Sequence, residues 1–171
     1  MALDTVINLS VQAALTKAPT NLSVIDSALY SKAQRVALTT GTAAGQADRL
    51  YAATRTIAPS TNEDLDLAGV LLDEFGVAIS LLRVKALFVQ AALANTNNVV
   101  VGAAAATQWA TLLNATGTVT LRPDAGFIAW AGVADATGYA VVGGASDFLR
   151  VANSGAGTSV TYDIVIIGAS A

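Results

Sequence analysis

Between Ser159 and Ile167 the side chains alternate. Val160, Tyr162, Ile164 and Ile166 fall on one face and Ser159, Thr161 and Asp163 on the other, which turns apolar at Val165 and Ile167. Successive Cβ atoms of a strand point to opposite sides of the sheet, so this spacing specifies a strand and fits no helix. It is expected to tie the C-terminal segment into a sheet.

The same grammar recurs upstream. Thr118–Arg122 sets Val119 and Leu121 against Thr118, Thr120 and Arg122, and runs into Pro123-Asp124-Ala125-Gly126, residue types that favour a tight turn. Phe127–Val133 reads as the next strand and carries Trp130. Further turn signals at Asp135-Ala136-Thr137-Gly138, Gly143-Gly144 and Asn153-Ser154-Gly155-Ala156-Gly157 bound strands near 139–142 and 147–152. A spacing of about 8–12 residues between strands is that of a sandwich or barrel.

Leu50–Ile57 and Ile79–Ala92 are also strand-like. The second places Val84, Ala86 and Phe88 on one face and Leu87 and Val89 on the other. A strand apolar on both sides is covered on both sides, and a neighbouring subunit is one source of the second cover. Pro59-Ser60-Thr61-Asn62 is an internal loop.

The expected fold is therefore all-β: an antiparallel β-sandwich, jelly-roll-like, over residues 41–171, with an extended N-terminal arm over residues 1–40 and at most short helices. Val6–Val11 is a strand candidate within the arm. Ser23 with Asp26 resembles a capping box before Ile25, Ala28 and Leu29, and the alanine tract Ala103–Ala106 leading into Trp109, Leu112 and Leu113 is a second helix candidate. The expected core comprises Val84, Ala86, Phe88, Trp130, Val160, Tyr162, Ile164 and Ile166.

Composition narrows the function. The 171 residues include neither cysteine nor histidine, which removes disulfides, thiolate chemistry, the Ser-His-Asp relay and histidine-ligated zinc or iron. Charged residues make up only 12% of the chain while AVILMFWYC make up 54%, with 36 alanines. So few charges cannot cover a monomer in the usual way, and burial in an oligomer is the simple remedy. A net charge of −3 with nine dispersed basic residues offers no track for a phosphate backbone. The start Met1-Ala2-Leu3-Asp4 lacks the basic region and apolar run of a secretory signal, which points to a cytosolic product. The uncharged run Ala86–Leu121 is broken by Asn95-Thr96-Asn97-Asn98 before either flank reaches the roughly 20 apolar residues that span a bilayer.

Candidate chemistry is sparse. Asp64, Asp66 and Gly69 fit part of a calcium loop, but Ala68 and Phe75 occupy two of its ligating positions, so Asp64 and Asp66 are weak metal candidates in a solvated acidic loop. Nothing in the spacing of ten aspartates and two glutamates marks a glycosidase pair. No glycine precedes a lysine, so a phosphate-binding P-loop is absent. Trp109, Trp130, Tyr30, Tyr51, Tyr139 and Tyr162 are the stock from which a sugar-stacking surface would be drawn, with Tyr139, in a turn, the best single candidate.

From about Arg49 onward, the segments Thr54-Arg55-Thr56, Asn62-Glu63-Asp64-Leu65-Asp66-Leu67-Ala68-Gly69, Asn95-Thr96-Asn97-Asn98-Val99-Val100-Val101-Gly102, Asp135-Ala136-Thr137-Gly138-Tyr139 and Ala152 through Asp163 carry a likeness. In them the chain resembles small β-rich virion structural proteins of tailed bacteriophages. The likeness covers about two thirds of the chain and brings no catalytic residues. It implies a structural role in the virion, as a capsid decoration (cement) protein or as a tail or head-to-tail connector subunit. A glycan-binding host-attachment module is the alternative from another class.

The expectation is thus a non-enzyme without catalytic residue or cofactor. Its partners would be itself, as a homo-oligomer with a trimer the expected state, and the major capsid or other virion proteins. Nucleic acid, membrane and small-molecule substrate are not expected partners. The arm, through Leu3, Val6, Leu9 and Val11, is the first-choice interface.

Overall fold

The computed structural model describes residues 2–17, 26–104 and 106–171. Among them there is no helix, and the chain is all-β, with several antiparallel sheets packed together as a sandwich. Twelve strands follow in order: β1 (Thr5–Lys17), β2 (Asp26–Thr40), β3 (Gln46–Ala47), β4 (Arg49–Ile57), β5 (Asn62–Asp66), β6 (Arg83–Ala91), β7 (Val99–Gly102), β8 (Thr118–Leu121), β9 (Gly126–Trp130), β10 (Tyr139–Ala140), β11 (Phe148–Asn153) and β12 (Val160–Ala169).

One layer is a five-stranded sheet in the order β10-β6-β12-β4, with β9 also on β6; the other is a four-stranded sheet in the order β5-β11-β7-β8. Between them lies the main core. Leu87, Val89, Tyr162, Ile164 and Ile166 of the first sheet meet Leu65, Val99, Val101, Leu149 and Val151 of the second, all buried. Asparagines finish the strand ends. The Asn95 amide and carbonyl pair with the backbone of Thr161, and buried Asn153 donates to the carbonyl oxygen of Thr158 at 2.8 Å. Asn153, buried, and Asn95, half-buried, thus satisfy backbone groups that would otherwise be orphaned.

The expected alternation on Ile79–Ala92 is interrupted. β6 pairs with β12 in register as far as Ala86 opposite Ile167, but Val84 then faces Gly168, so Lys85 is an extra residue in β6. The bulge shifts the phase, as a one-residue insertion must. Val84 joins Leu87 and Val89 in the main core, while Ala86 lies on the outer face of the sheet. Phe88 and Trp130, expected in the core, are only half-buried. They pair into the same outer face across β6 and β9, where Trp130 packs on a second, smaller cluster.

That second cluster gathers Val36, Leu38, Ala47, Ala86 and Ile167. The second cover of the doubly apolar strand is therefore supplied by the chain's own N-terminal strands, not by a neighbouring subunit at this point. The expected single extended arm is a hairpin: β1 and β2 pair antiparallel over thirteen residue pairs, from Thr5 opposite Leu38 to Lys17 opposite Asp26. Ala28 and Leu29, expected to open a helix, are in β2, while Ser23 and Ile25 lie outside the described residues.

The alanine-tract helix does not form either. Gly102, Ala103 and Thr107 have φ of 110°, 55° and 44°, in the left-handed region that stops a right-handed helix, while Ala105 lies outside the described residues. Trp109 is buried and donates its indole N–H to the Ala140 carbonyl at 2.8 Å, and this anchor overrides alanine's local preference.

Candidate assembly surface

A two-stranded hairpin of thirteen pairs, at about 3.4 Å per residue, reaches roughly 44 Å. Only its base is packed. Ile7, Val36 and Leu38 sit on the second cluster, and Leu3 is held there by a reciprocal pair of hydrogen bonds with the Thr40 hydroxyl, at 2.7 and 3.0 Å. From Leu9 to Lys17 and from Ser27 to Arg35 every residue is exposed.

The register decides what each face of this projection presents. Ile7 and Val36, Leu9 and Gln34, Val11 and Lys32, Ala13 and Tyr30, and Leu15 and Ala28 are opposite pairs on one face. The packed apolar stripe at the base thus continues outward into solvent. The opposite face pairs Asn8 with Arg35, Ser10 with Ala33, Gln12 with Ser31, Ala14 with Leu29 and Thr16 with Ser27, and is mainly polar but for Leu29 near its outer end. Leu15 is 76% exposed and Leu29 81%. An isolated hairpin is marginal in water, and side chains such as Leu9, Val11 and Leu15 each gain about 1.5–3 kcal/mol on full burial.

Of the four interface residues expected from sequence, Leu3 is half-buried at the base, while Val6, Leu9 and Val11 are exposed. Leu9 and Val11 share the apolar stripe; Val6 points from the opposite face. Sequence reasoning missed the β2 half of the stripe, Tyr30 and Ala28, although Ile7, Leu9, Val11, Ala13 and Leu15 alternate openly. It also missed a second exposed apolar element between β5 and β6. There Val70, Leu72, Phe75 and Val77 are exposed on a turn that Asp73 Oδ1 holds by accepting from the amides of Phe75 and Val77, both at 2.9 Å.

The acidic segment 62–69 is not a solvated loop. Residues 62–66 form β5, where Asp64 makes a two-pronged ion pair with Arg150 at 2.8 Å and Asp66 accepts from the Ala68 amide at 2.9 Å. Both weak metal candidates thus hold the sheet edge and its turn. Among the described residues no three acidic groups gather as a metal cluster.

One titratable network spans the edge of the sandwich, with its tyrosines buried and its charged groups half-buried. Glu63 accepts from the Tyr162 hydroxyl at 2.8 Å and from Arg55 Nε at 2.8 Å, and Arg55 also donates to the Tyr51 hydroxyl at 3.0 Å. Burial first, and the Glu63 charge second, push the Tyr162 hydroxyl upward; the hydrogen bond to Glu63 raises Arg55. Carboxylate and guanidinium neutralise each other where β4 hands over to β5, an arrangement that closes the sandwich rather than poises a proton donor.

The six aromatic candidates are not gathered on one exposed surface. Tyr51, Tyr162 and Trp109 are buried; Tyr139 belongs to β10 rather than a turn and stands edge-on to Trp109 at 6.3 Å. Of the six candidates only Tyr30 is exposed, on the hairpin.

Fold and surface together define an all-β sandwich with a projecting amphipathic hairpin. No protein-family model, curated protein or solved structure matches the chain.

Proposed function

We propose that the chain is a structural subunit of a tailed-phage particle, a capsid decoration protein that stabilises the shell by packing against copies of itself and against other virion proteins. The observation that carries this reading is the hairpin, whose apolar stripe begins in the second cluster and continues, uncovered, for the rest of its length. The low charge content and the sequence resemblance support the virion setting.

The energetics favour many weak contacts over one strong one. Burying Leu9, Val11 and Leu15 gives roughly 5–9 kcal/mol gross, while association of two proteins costs about 4–15 kcal/mol. One hairpin alone is a weak strap, and several acting in one closed assembly multiply. Shell rupture would then have to break all of them together.

The reading is tested by peptide mass spectrometry of purified particles of the encoding phage. Hundreds of copies per particle are expected. Absence from the particle overturns a virion role, and a handful of copies moves the protein to the tail or the connector.

A further inference from the structure

The strand register arranges the outer face of the five-stranded sheet in rows. Leu50, Ile167, Ala86 and Trp130 stand side by side in the first row, beneath the base of the hairpin. The next row, Ala52, Val165, Phe88 and Ile128, is equally apolar but only half-buried. In the third row Asp163 is exposed beside Thr54, whose hydroxyl it accepts.

Asp163, Val165 and Ala52 line a groove of about 340 Å³ together with Glu74. Glu74 also borders a separate, larger groove of about 450 Å³, lined by Leu50, Phe75, Val77 and the Asp48–Arg49 ion pair. Neither Glu74 nor Asp163 is in an ion pair with a described residue.

The hairpin carries the complement of this face. Its stripe sets Leu9, Val11 and Tyr30 around the exposed Lys32, which is likewise in no ion pair with a described residue. β1 and β2 hold Lys17, Lys32 and Arg35 against Asp26, a charge of +2, so the rest of a chain of net charge −3 carries −5. Within one molecule Val165 touches the cluster at the hairpin base, while residues 9–17 and 27–35 of the hairpin are exposed and leave its row half-covered.

We propose that this acidic, apolar face receives the hairpin of a second copy of the chain, with Lys32 of one copy set against Asp163 and Glu74 of the next. Leu9 and Val11 then cover Val165 and Phe88. The inference rests on the reading of the chain as a self-assembling subunit and adds the address at which it assembles. Hairpin and receiving face are different surfaces, so the contact is head-to-tail, and it closes into a ring such as a trimer if the rotation permits. The charge pair sets register and rejects wrong partners more than it adds affinity.

The test is sedimentation velocity over a dilution series on Lys32→Glu, Asp163→Lys and the double variant. A chain in which residues 9–34 are replaced by Asn-Gly runs beside them. Circular dichroism checks that each folds, and all the reversed charges are exposed. Each single reversal is expected to weaken self-association about tenfold, and the double to restore most of it. Unchanged association in both single variants, with a monomeric shortened chain, overturns the address while leaving the hairpin as the assembly element. A shortened chain that keeps the parent's mass overturns both.

Discussion

Glu63 shows how this chain uses its few charges. It serves Tyr162 and Arg55 at once, so Glu63→Ala strands two donors and should cost about 2–3 kcal/mol, whereas Tyr162→Phe leaves the ion pair intact and should cost about 1 kcal/mol. Urea unfolding of the two variants checks the order; equal losses would mean that the network does not act through its acceptor. Asp135 makes a pH-dependent contribution. Hydrogen bonds from the amides of Gly138 and Thr137 hold its carboxyl below the ordinary value of 3.8. A depressed carboxyl stabilises the fold above its unfolded value, and that contribution is lost as pH falls through the folded value. Thermal unfolding of Asp135→Asn should therefore change less on acidification from about pH 5 to about pH 2 than that of the parent. At this scale six of the eight expected core residues are buried, because alternation reports the inward face of β12 directly. Phe88 and Trp130 were not legible as half-buried residues of the outer face, since an apolar outer face reads like an inner one.

The bulge at Lys85 is where the element scale departs from pattern. No sequence signal marks the extra residue, and its cause is tertiary: Lys85 is buried with its ammonium donating to the carbonyl oxygens of Asp135 and Ala136, at 2.7 and 3.0 Å. Burial lowers its pKa, and the carbonyls compensate the desolvated charge. The partner strand must come close at the same place. A Cβ on Gly168 would lie 2.4 Å from the Arg83 carbonyl oxygen and 2.8 Å from Leu81 Cδ2. Gly168→Ala should thus destabilise the fold by about 1–3 kcal/mol, read from the denaturation midpoint, and a neutral result would mean that the bulge can relax. Strands β4, β8, β9, β11 and β12 were legible from alternation and turn residues. The two helices were not excluded by sequence, because alanine's preference is local while the Trp109 anchor and the β1 pairing that hold these segments are distant in the chain.

At the scale of the molecule, the sandwich was legible from strand spacing. The hairpin was only half legible. Val6–Val11 alternates, but the β2 strand hides its stripe among alanine and polar residues, and its partner is fixed by register rather than by composition. The face proposed to receive the hairpin was invisible in sequence, since Asp163, Val165, Ala52 and Glu74 meet only in the folded chain. On the proposed function, the molecule leaves this apolar surface uncovered only until it assembles. Light scattering across a dilution series tests that directly. A mass several times the 17.2 kDa of one chain is expected to persist on dilution, and a folded monomer is expected once the hairpin is shortened. A full-length chain that stays at 17.2 kDa at every concentration would contradict the proposed assembly.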